Sequence, residues 1–130
     1  MGRTFVNATV IGQRSTKDYR FLVDTGSTYM GLPIEEIEEL GLTMIPDGRI
    51  EVLTPTGIIE QDCYLTLCRI QGRGFGATVV PSPIPIIGYE TLENLRFKVN
   101  PVTRSLERVP LDEPHPPYQL LRSRTNYGEA

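Results

Sequence analysis

The chain has 130 residues and a formal net charge of −3, with 13 basic and 16 acidic side chains scattered along it. This length is enough for one domain with a substantial core. The scattered charges exclude the basic patch or stripe of a nucleic-acid-binding surface. No apolar run could span a membrane, and the N-terminus carries no charged-then-apolar signal segment. We therefore expect a cytoplasmic protein with no nucleic-acid or membrane partner.

The first quarter of the chain predicts a β-hairpin that leads to a carboxylate. Residues 4–11 alternate in part and are rich in β-forming types, residues 12–18 are a polar loop, and residues 19–23 form an apolar returning strand. This strand ends at Asp24-Thr25-Gly26-Ser27, where the glycine permits a sharp turn. A second apolar run, residues 29–32, follows at once. Because a buried carboxylate without compensation is costly, its position between two buried segments indicates a functional residue.

Residues 34–40 predict a short helix. A proline precedes it, acids occupy its first turn near the positive end of the helix dipole, and a glycine follows it. Ile34, Ile37 and Leu40 recur at helical spacing, so we expect all three to face the core. The four glutamates of this helix are expected to form a solvated face.

The rest of the chain predicts further short strands. Residues 49–53 and 58–62 flank Thr54-Pro55-Thr56-Gly57, which indicates a β-hairpin with glycine at its tip. The elements predicted after it are a strand at 63–70, a turn at 71–74, a strand at 75–80, an extended loop at 81–85, a strand at 86–87, a helix at 89–94, and strands at 96–100 and 105–109.

Neither the cysteines nor the histidine indicates a metal or cofactor site. Cys63 and Cys68 have an odd separation, which on one strand places them on opposite faces, so we expect two reduced, unbridged thiols. Residues 111–130 are rich in proline and polar types, which indicates a tail appended to a domain of residues 1–110. His115 lies in this tail with no second ligand or nucleophile beside it.

Two motifs together carry a family resemblance. The first is Asp24-Thr25-Gly26 after an apolar run, and the second is Ile86-Ile87-Gly88 before a short helix. In type and separation they resemble the active-site motifs of the retroviral-type, single-lobed (retropepsin-like) aspartic proteases, over residues 4–110. The resemblance implies a mostly β fold, a closed barrel with one or two short helices, that works as a two-fold homodimer.

The resemblance also implies an aspartic endopeptidase acting on peptide or protein substrates, with Asp24, Thr25 and Gly26 as catalytic residues. Peptide hydrolysis by carboxylates needs two of them, one accepting a proton while the other donates one. This chain supplies a single such motif, so Asp24 is expected to meet its symmetry mate at the dimer axis. In the family, the threonine hydroxyl bonds across that axis and the glycine lets the substrate backbone come close.

Substrate contacts follow from the same resemblance. The hairpin at residues 49–62 corresponds to a flap over an apolar cleft that suits an extended peptide. The Ser27 hydroxyl is expected to donate to the ionised Asp24 and so lower the pKa of the pair. Beyond the catalytic residues, the expected binding residues are Ser27, Thr54, Pro55, Thr56, Gly57, Ile84 and Ile86.

Two departures from the family pattern leave alternatives open. Retroviral members usually carry an aspartate two residues after the first motif and an arginine directly after the second, where this chain has Thr28 and Tyr89. In retroviral members this aspartate and arginine are expected to form an ion pair that supports the dimer. Because both are replaced here, we expect the dimer interface to be built differently. One alternative is a peptide-binding or assembly domain of the same fold with weak or no cleavage. Another is a structural β-domain in which Asp24-Thr25-Gly26 is only a turn.

Overall fold

The computed structural model describes residues 3–24, 26–100 and 102–109. Thr25, His115 and residues 111–130 lie outside this set, so the domain boundary near residue 110 stays a prediction. No helix in the described ranges is long and apolar enough to cross a membrane. In chain order the elements are β1 (Phe5–Ile11), β2 (Thr16–Asp24), β3 (Met30–Leu32), α1 (Ile34–Leu40), β4 (Thr43–Met44), β5 (Ile50–Thr54), β6 (Gly57–Gln61), β7 (Tyr64–Ile70), β8 (Arg73–Pro81), β9 (Ile86–Gly88), α2 (Tyr89–Asn94), β10 (Phe97–Asn100) and β11 (Ser105–Arg108).

Six strands close into a barrel, and two short helices accompany it, which confirms the predicted mostly β, closed-barrel fold. The two-fold homodimer stays a prediction. The strand order is β1-β2-β9-β3-β8-β7, and β1 pairs again with β7 through Thr9–Arg69 and Ile11–Leu67. The hairpins β5-β6 and β10-β11 form separate two-stranded sheets. Strand β4, which pairs with the first residues of β7, was not predicted because two residues show no periodicity.

The barrel interior is filled by the inward-facing residues of its strands. Alternation along β1 places Val6, Ala8 and Val10 inside, each at most 4% exposed. Burying an aliphatic or aromatic side chain of this kind contributes about 1.5–3 kcal/mol to stability. The other members of this core are Phe21, Met30, Leu32, Ile37, Leu40, Cys68, Ile70, Val79, Ile87, Leu92 and Phe97.

Helix α1 packs on the barrel with a narrower apolar face than its sequence predicts. Ile37 and Leu40 are buried as expected, with 1% and 0% of their surface exposed. The expectation for Ile34 was wrong, because 37% of its surface is exposed. Ile34 lies in the first turn, beside Pro81 and Pro83 at the surface, before the helix reaches the core.

One glutamate of α1, Glu36, is partly buried against the barrel. The Glu36 carboxylate accepts hydrogen bonds from the Tyr19 hydroxyl at 2.6 Å and from Lys17 Nζ at 3.0 Å. Lys17 also pairs with Glu39. The expectation of a fully solvated acidic face was therefore wrong for Glu36, because the helix lies against β2 at this point. The other three glutamates of the helix are exposed.

Arg73, the first residue of β8, anchors the C-terminal hairpin. Its Nη1 donates to the carbonyls of Leu95 at 2.6 Å and Arg96 at 2.8 Å, and its Nη2 donates to the carbonyl of Val109 at 3.1 Å. Its guanidinium also lies 4.7 Å from the centre of the Phe97 ring. These contacts join the end of α2 and the last hairpin to the barrel.

Candidate active site

The barrel topology brings the two sequence motifs together. Strand β9 runs parallel to β2, with Val23 opposite Ile87 and Asp24 opposite Gly88. On its other side, β9 meets β3 through the pair Gly31–Ile86. The second motif is therefore inserted between the strand that ends at Asp24 and the strand that follows the aspartate loop.

Two glycines allow this close approach. A Cβ atom added at Gly88 would lie 2.5 Å from the carbonyl oxygen of Ser27. A Cβ atom added at Gly31 would overlap the side chain of Ser82. A side chain at either position would push apart the loops that surround Asp24.

Asp24 is half-buried at the end of β2, and a local turn holds its side chain. Its Oδ1 atom accepts a hydrogen bond from the backbone N–H of Gly26 at 2.9 Å. The backbone N–H of Ser27 donates to the Asp24 carbonyl at 3.1 Å. Aspartate commonly bonds the backbone two residues ahead in this way, and here the bond orients the carboxylate. Thr25, predicted as catalytic, lies outside the described residues.

The Ser27 hydroxyl does not reach the aspartate as expected. It donates to the carbonyl of Tyr29, with 2.5 Å between the two oxygens. A hydroxyl has one proton to donate, so this bond uses it. The sequence-based expectation that Ser27 donates to Asp24 is therefore not met in this structure, because a backbone acceptor two residues ahead takes the bond.

A cleft of about 560 Å³ lies between the Asp24 loop and the β5-β6 hairpin. Six predicted site residues line it: Asp24, Gly26, Ser27, Thr54, Pro55 and Ile86. The predicted residues Thr56, Gly57 and Ile84 are not part of this lining, and Ile84 is 45% exposed. Their contact with a substrate stays a prediction.

The cleft also contains residues that were not among the expected catalytic and binding residues. Gln61, at the base of the hairpin, donates from its amide to the carbonyl of Pro81 at 3.3 Å and so joins the hairpin to the end of β8. Most of these residues are close in sequence to a predicted site residue, and this was the one signal by which the sequence could have indicated them. The alternation of a two-stranded hairpin does not say which face meets the barrel. The additional lining residues are Thr28, Tyr29, Gly31, Glu51, Val52, Leu53, Gln61, Val80, Pro81, Ser82 and Pro83.

The charge of this cleft is negative. Asp24 and Glu51 are acidic, and no lysine or arginine occurs among the described lining residues. A second groove of about 550 Å³ lies over the outer face of β7 and β8, and its described lining has no charged side chain. Side chains that could act as a general acid or base therefore line the Asp24 cleft and not the second groove.

The two cysteines are poor candidates for a nucleophile. Both are buried and unbridged, which confirms the prediction of two free thiols, and neither lines the Asp24 cleft. Burial raises the pKa of the Cys68 thiol to about 12. Since the thiolate is the reactive form, this side chain is inert at neutral pH.

Comparison with solved structures identifies the fold. The simian foamy virus (mac) protease matches with a TM-score of 0.53 and 22% identity, covering 71% of this chain and 94% of that one. The EIAV protease complexed with the inhibitor HBY-793 matches with a TM-score of 0.56 and 17% identity, covering 72% and 88%. A retropepsin-like aspartic protease from Rickettsia conorii matches with a TM-score of 0.47 and 22% identity, covering 76% and 85%. No family model and no curated protein matches the sequence. The chain has the retropepsin-like fold.

Proposed function

We propose that this protein is a homodimeric aspartic endopeptidase in which Asp24 of each chain forms half of the catalytic pair. The observation that carries the proposal is the position of Asp24, a half-buried carboxylate oriented by the Gly26 N–H at the edge of a cleft beneath a hairpin. The retropepsin-like fold supports it, because the two matched proteins named above as viral proteases share this fold.

The chemistry requires a second carboxylate, and two-fold symmetry supplies it. In an isologous interface a residue near the axis faces its own copy, so one aspartate loop per chain gives a pair. Two adjacent carboxyl groups do not both ionise readily, so the pair holds one proton over a range of pH. Thr25 would bond across the axis and keep the two loops in register.

The reaction then needs only water and the shared proton. The oxygen of the water adds to the scissile carbonyl carbon while the ionised carboxylate takes a proton from that water. The protonated carboxyl group donates its proton to the carbonyl oxygen. The resulting tetrahedral diol collapses when the carboxyl group that took the water's proton donates it to the amide nitrogen, the C–N bond breaks, and the other carboxylate takes a proton from a diol hydroxyl. The amine and the carboxylic acid leave, and the aspartate pair is regenerated.

The β5-β6 hairpin would act as a flap over the bound peptide. Thr54 Oγ1 donates to the carbonyl of Gly57 at 2.7 Å, which holds the tip around Pro55 and Thr56. Leu53 and Ile58, paired across the hairpin next to the tip, are 80% and 65% exposed. Exposed apolar side chains of this kind suit a segment that closes over an extended, hydrophobic peptide.

The decisive experiment compares Asp24→Asn with the wild-type chain. A mixed peptide library is digested at several pH values, with and without a statine-type inhibitor, and sedimentation gives the oligomeric state. We expect the wild type to cleave peptides and Asp24→Asn to be inactive. The variant should still fold and dimerise, because asparagine can accept the Gly26 hydrogen bond. Titration should show one inhibitor bound per two chains.

Asp18→Asn is the matched control, since Asp18 is an exposed acid on the same strand and does not line the cleft. It should cleave like the wild type. Cleavage that persists in Asp24→Asn, or a protein that is monomeric at active concentrations, would refute the proposal. Peptide binding without any cleavage by the wild type would instead favour a binding or assembly domain of the same fold.

A further inference from the structure

We infer that Gln61 is a positioning residue of the proposed flap. Its side-chain amide anchors the β5-β6 hairpin to the wall of the cleft and thereby raises the affinity for an extended peptide. The inference rests on the proposed function and deepens it. Gln61 is the last residue of β6, is half-buried and lines the cleft. Its Nε2 atom lies 3.3 Å from the carbonyl oxygen of Pro81, to which it donates a hydrogen bond.

This hydrogen bond links two separate sheets. Strands β5 and β6 pair with each other and form a sheet outside the barrel. Their other side-chain bonds stay within the hairpin and its base, since Thr54 bonds inside the tip and Arg49 pairs with Glu60 and Asp62. Among the described residues, no second hydrogen bond connects the hairpin to a barrel strand. The Gln61 amide therefore determines how firmly the hairpin is held at the cleft.

The acceptor belongs to the wall that also supports the aspartate loop. Pro81 ends β8 and pairs with Leu32 of β3, and the N–H of the next residue, Ser82, donates to the Leu32 carbonyl at 2.9 Å. Strand β3 in turn pairs with β9, which pairs with β2 at Asp24. Because these strands hold the Pro81 carbonyl in place, a bond to it positions the hairpin relative to Asp24.

The bond also determines which face of the hairpin is turned to the cleft. Alternation along β6 places Ile59 on the same face as Gln61, with Val52 of β5 directly opposite Ile59. The acids Glu60 and Asp62, which pair with an arginine, lie on the other face of the hairpin. An anchored hairpin thus presents its apolar face to the cleft before a peptide arrives, and this preorganisation strengthens binding.

The test uses the full-length protein, an extended apolar peptide and the variant Gln61→Leu, whose side chain has a similar volume but cannot donate a hydrogen bond. We expect KM to rise by about three- to tenfold, the size of one neutral hydrogen bond, and kcat to stay within about twofold of the wild-type value. A merely structural role would give the opposite pattern, because a smaller folded fraction lowers the apparent kcat and leaves KM unchanged.

Gln13→Leu is the matched control. It also removes a side-chain amide that donates a hydrogen bond, here to Thr43 Oγ1 at 3.0 Å, but Gln13 lines the second groove and not the Asp24 cleft. This variant should keep the KM and the kcat of the wild type.

Gln61→Glu tests the hydrogen-bond donor itself. A carboxyl group has nearly the shape of the amide, but it can donate to the Pro81 carbonyl only when it is protonated, near and below its ordinary pKa of about 4.3. The KM of this variant should therefore approach the wild-type value as the pH falls from about 6 to about 4, while that of Gln61→Leu stays raised. Both variants keep the neighbouring titratable and charged groups, so comparing them at each pH cancels the titration of those groups. These groups are Asp24, Tyr29, Arg49, Glu51, Glu60 and Asp62.

Hydrogen exchange of the free protein gives a readout that does not depend on catalysis. The backbone amides of residues 50–61 should exchange faster in Gln61→Leu than in the wild type, and at the wild-type rate in Gln13→Leu. Unchanged exchange or an unchanged KM in Gln61→Leu, or an equal rise of KM in Gln13→Leu, would overturn the inference while leaving the protease intact. If the wild type cleaves no peptide, the proposed function fails, and the exchange measurement alone decides whether Gln61 anchors the hairpin.

Discussion

Asp24 and Gly88 are direct partners in the parallel ladder between β2 and β9. The glycine of the second motif therefore supports the aspartate loop of the first, with the Ser27 carbonyl 2.5 Å from where a Cβ at Gly88 would be. This contact explains why a glycine far along the chain belongs to the same site as the aspartate. It also gives the most direct test of the packing beneath the carboxylate.

The substitution Gly88→Ala should displace the Asp24 loop. Because the added methyl group would meet a backbone oxygen, which a side-chain rotation cannot relieve, we expect a loss of about 1–3 kcal/mol in the free energy of unfolding. Peptidase activity should fall further than stability does, since small displacements of catalytic groups are costly. Chemical denaturation and kcat/KM measured on the same sample separate the two effects.

Gly76→Ala is the matched control for that substitution. Gly76 lies in β8, where the nearest atom to an added Cβ is 3.9 Å away. This variant should keep both its stability and its activity close to the wild-type values. Equal losses in the two variants would show that the contact between Gly88 and Ser27 has no special effect on the site.

The substitution Ser27→Ala should weaken the aspartate loop without moving the pH optimum. The hydroxyl donates to the Tyr29 carbonyl and not to Asp24. Its removal therefore costs about 1 kcal/mol of stability, and Asp24 keeps its own hydrogen-bond donor. The measurement is the pH dependence of kcat/KM for the wild type and the variant. A shift of the optimum toward higher pH in the variant would support the sequence-based expectation against the structure.

The contact between α1 and β2 should make stability depend on acidic pH. The Tyr19 hydroxyl and Lys17 hold the pKa of Glu36 below its ordinary value of 4.5. A group whose pKa is depressed by folding stabilises the protein above its unfolded pKa, and this contribution is lost as the pH falls through the folded pKa. Glu36→Gln should therefore flatten the decline in stability below pH 4.5.

The same cluster responds in the opposite sense at alkaline pH. Hydrogen bonding to Glu39 and Glu36 raises the pKa of Lys17, and burial together with Glu36 raises the pKa of Tyr19. Their contributions are present below the ordinary pKa values and are lost as the pH rises through the folded ones. Thermal unfolding across the pH range measures both effects, with the exposed Glu38→Gln as the control. An identical pH profile in Glu36→Gln and Glu38→Gln would contradict the assignment.

Much of the local structure could be read from short stretches of sequence. Helix α1 has the predicted bounds, because a proline, a first-turn acid pair and a glycine all act within a few residues of its ends. Most strands also match to within a few residues, since their alternation is a local pattern. Asp24 was singled out because a carboxylate between two apolar runs is physically unusual wherever those runs pack.

The tertiary structure decided which strands, helices and side chains contact one another. The insertion of β9 between β2 and β3, the hydrogen bond of Ser27 to a backbone carbonyl, the exposure of Ile34 and the contact of Glu36 with β2 all depend on packing. Periodicity reports which residues share a face of one element, but it carries no information about the element that covers that face.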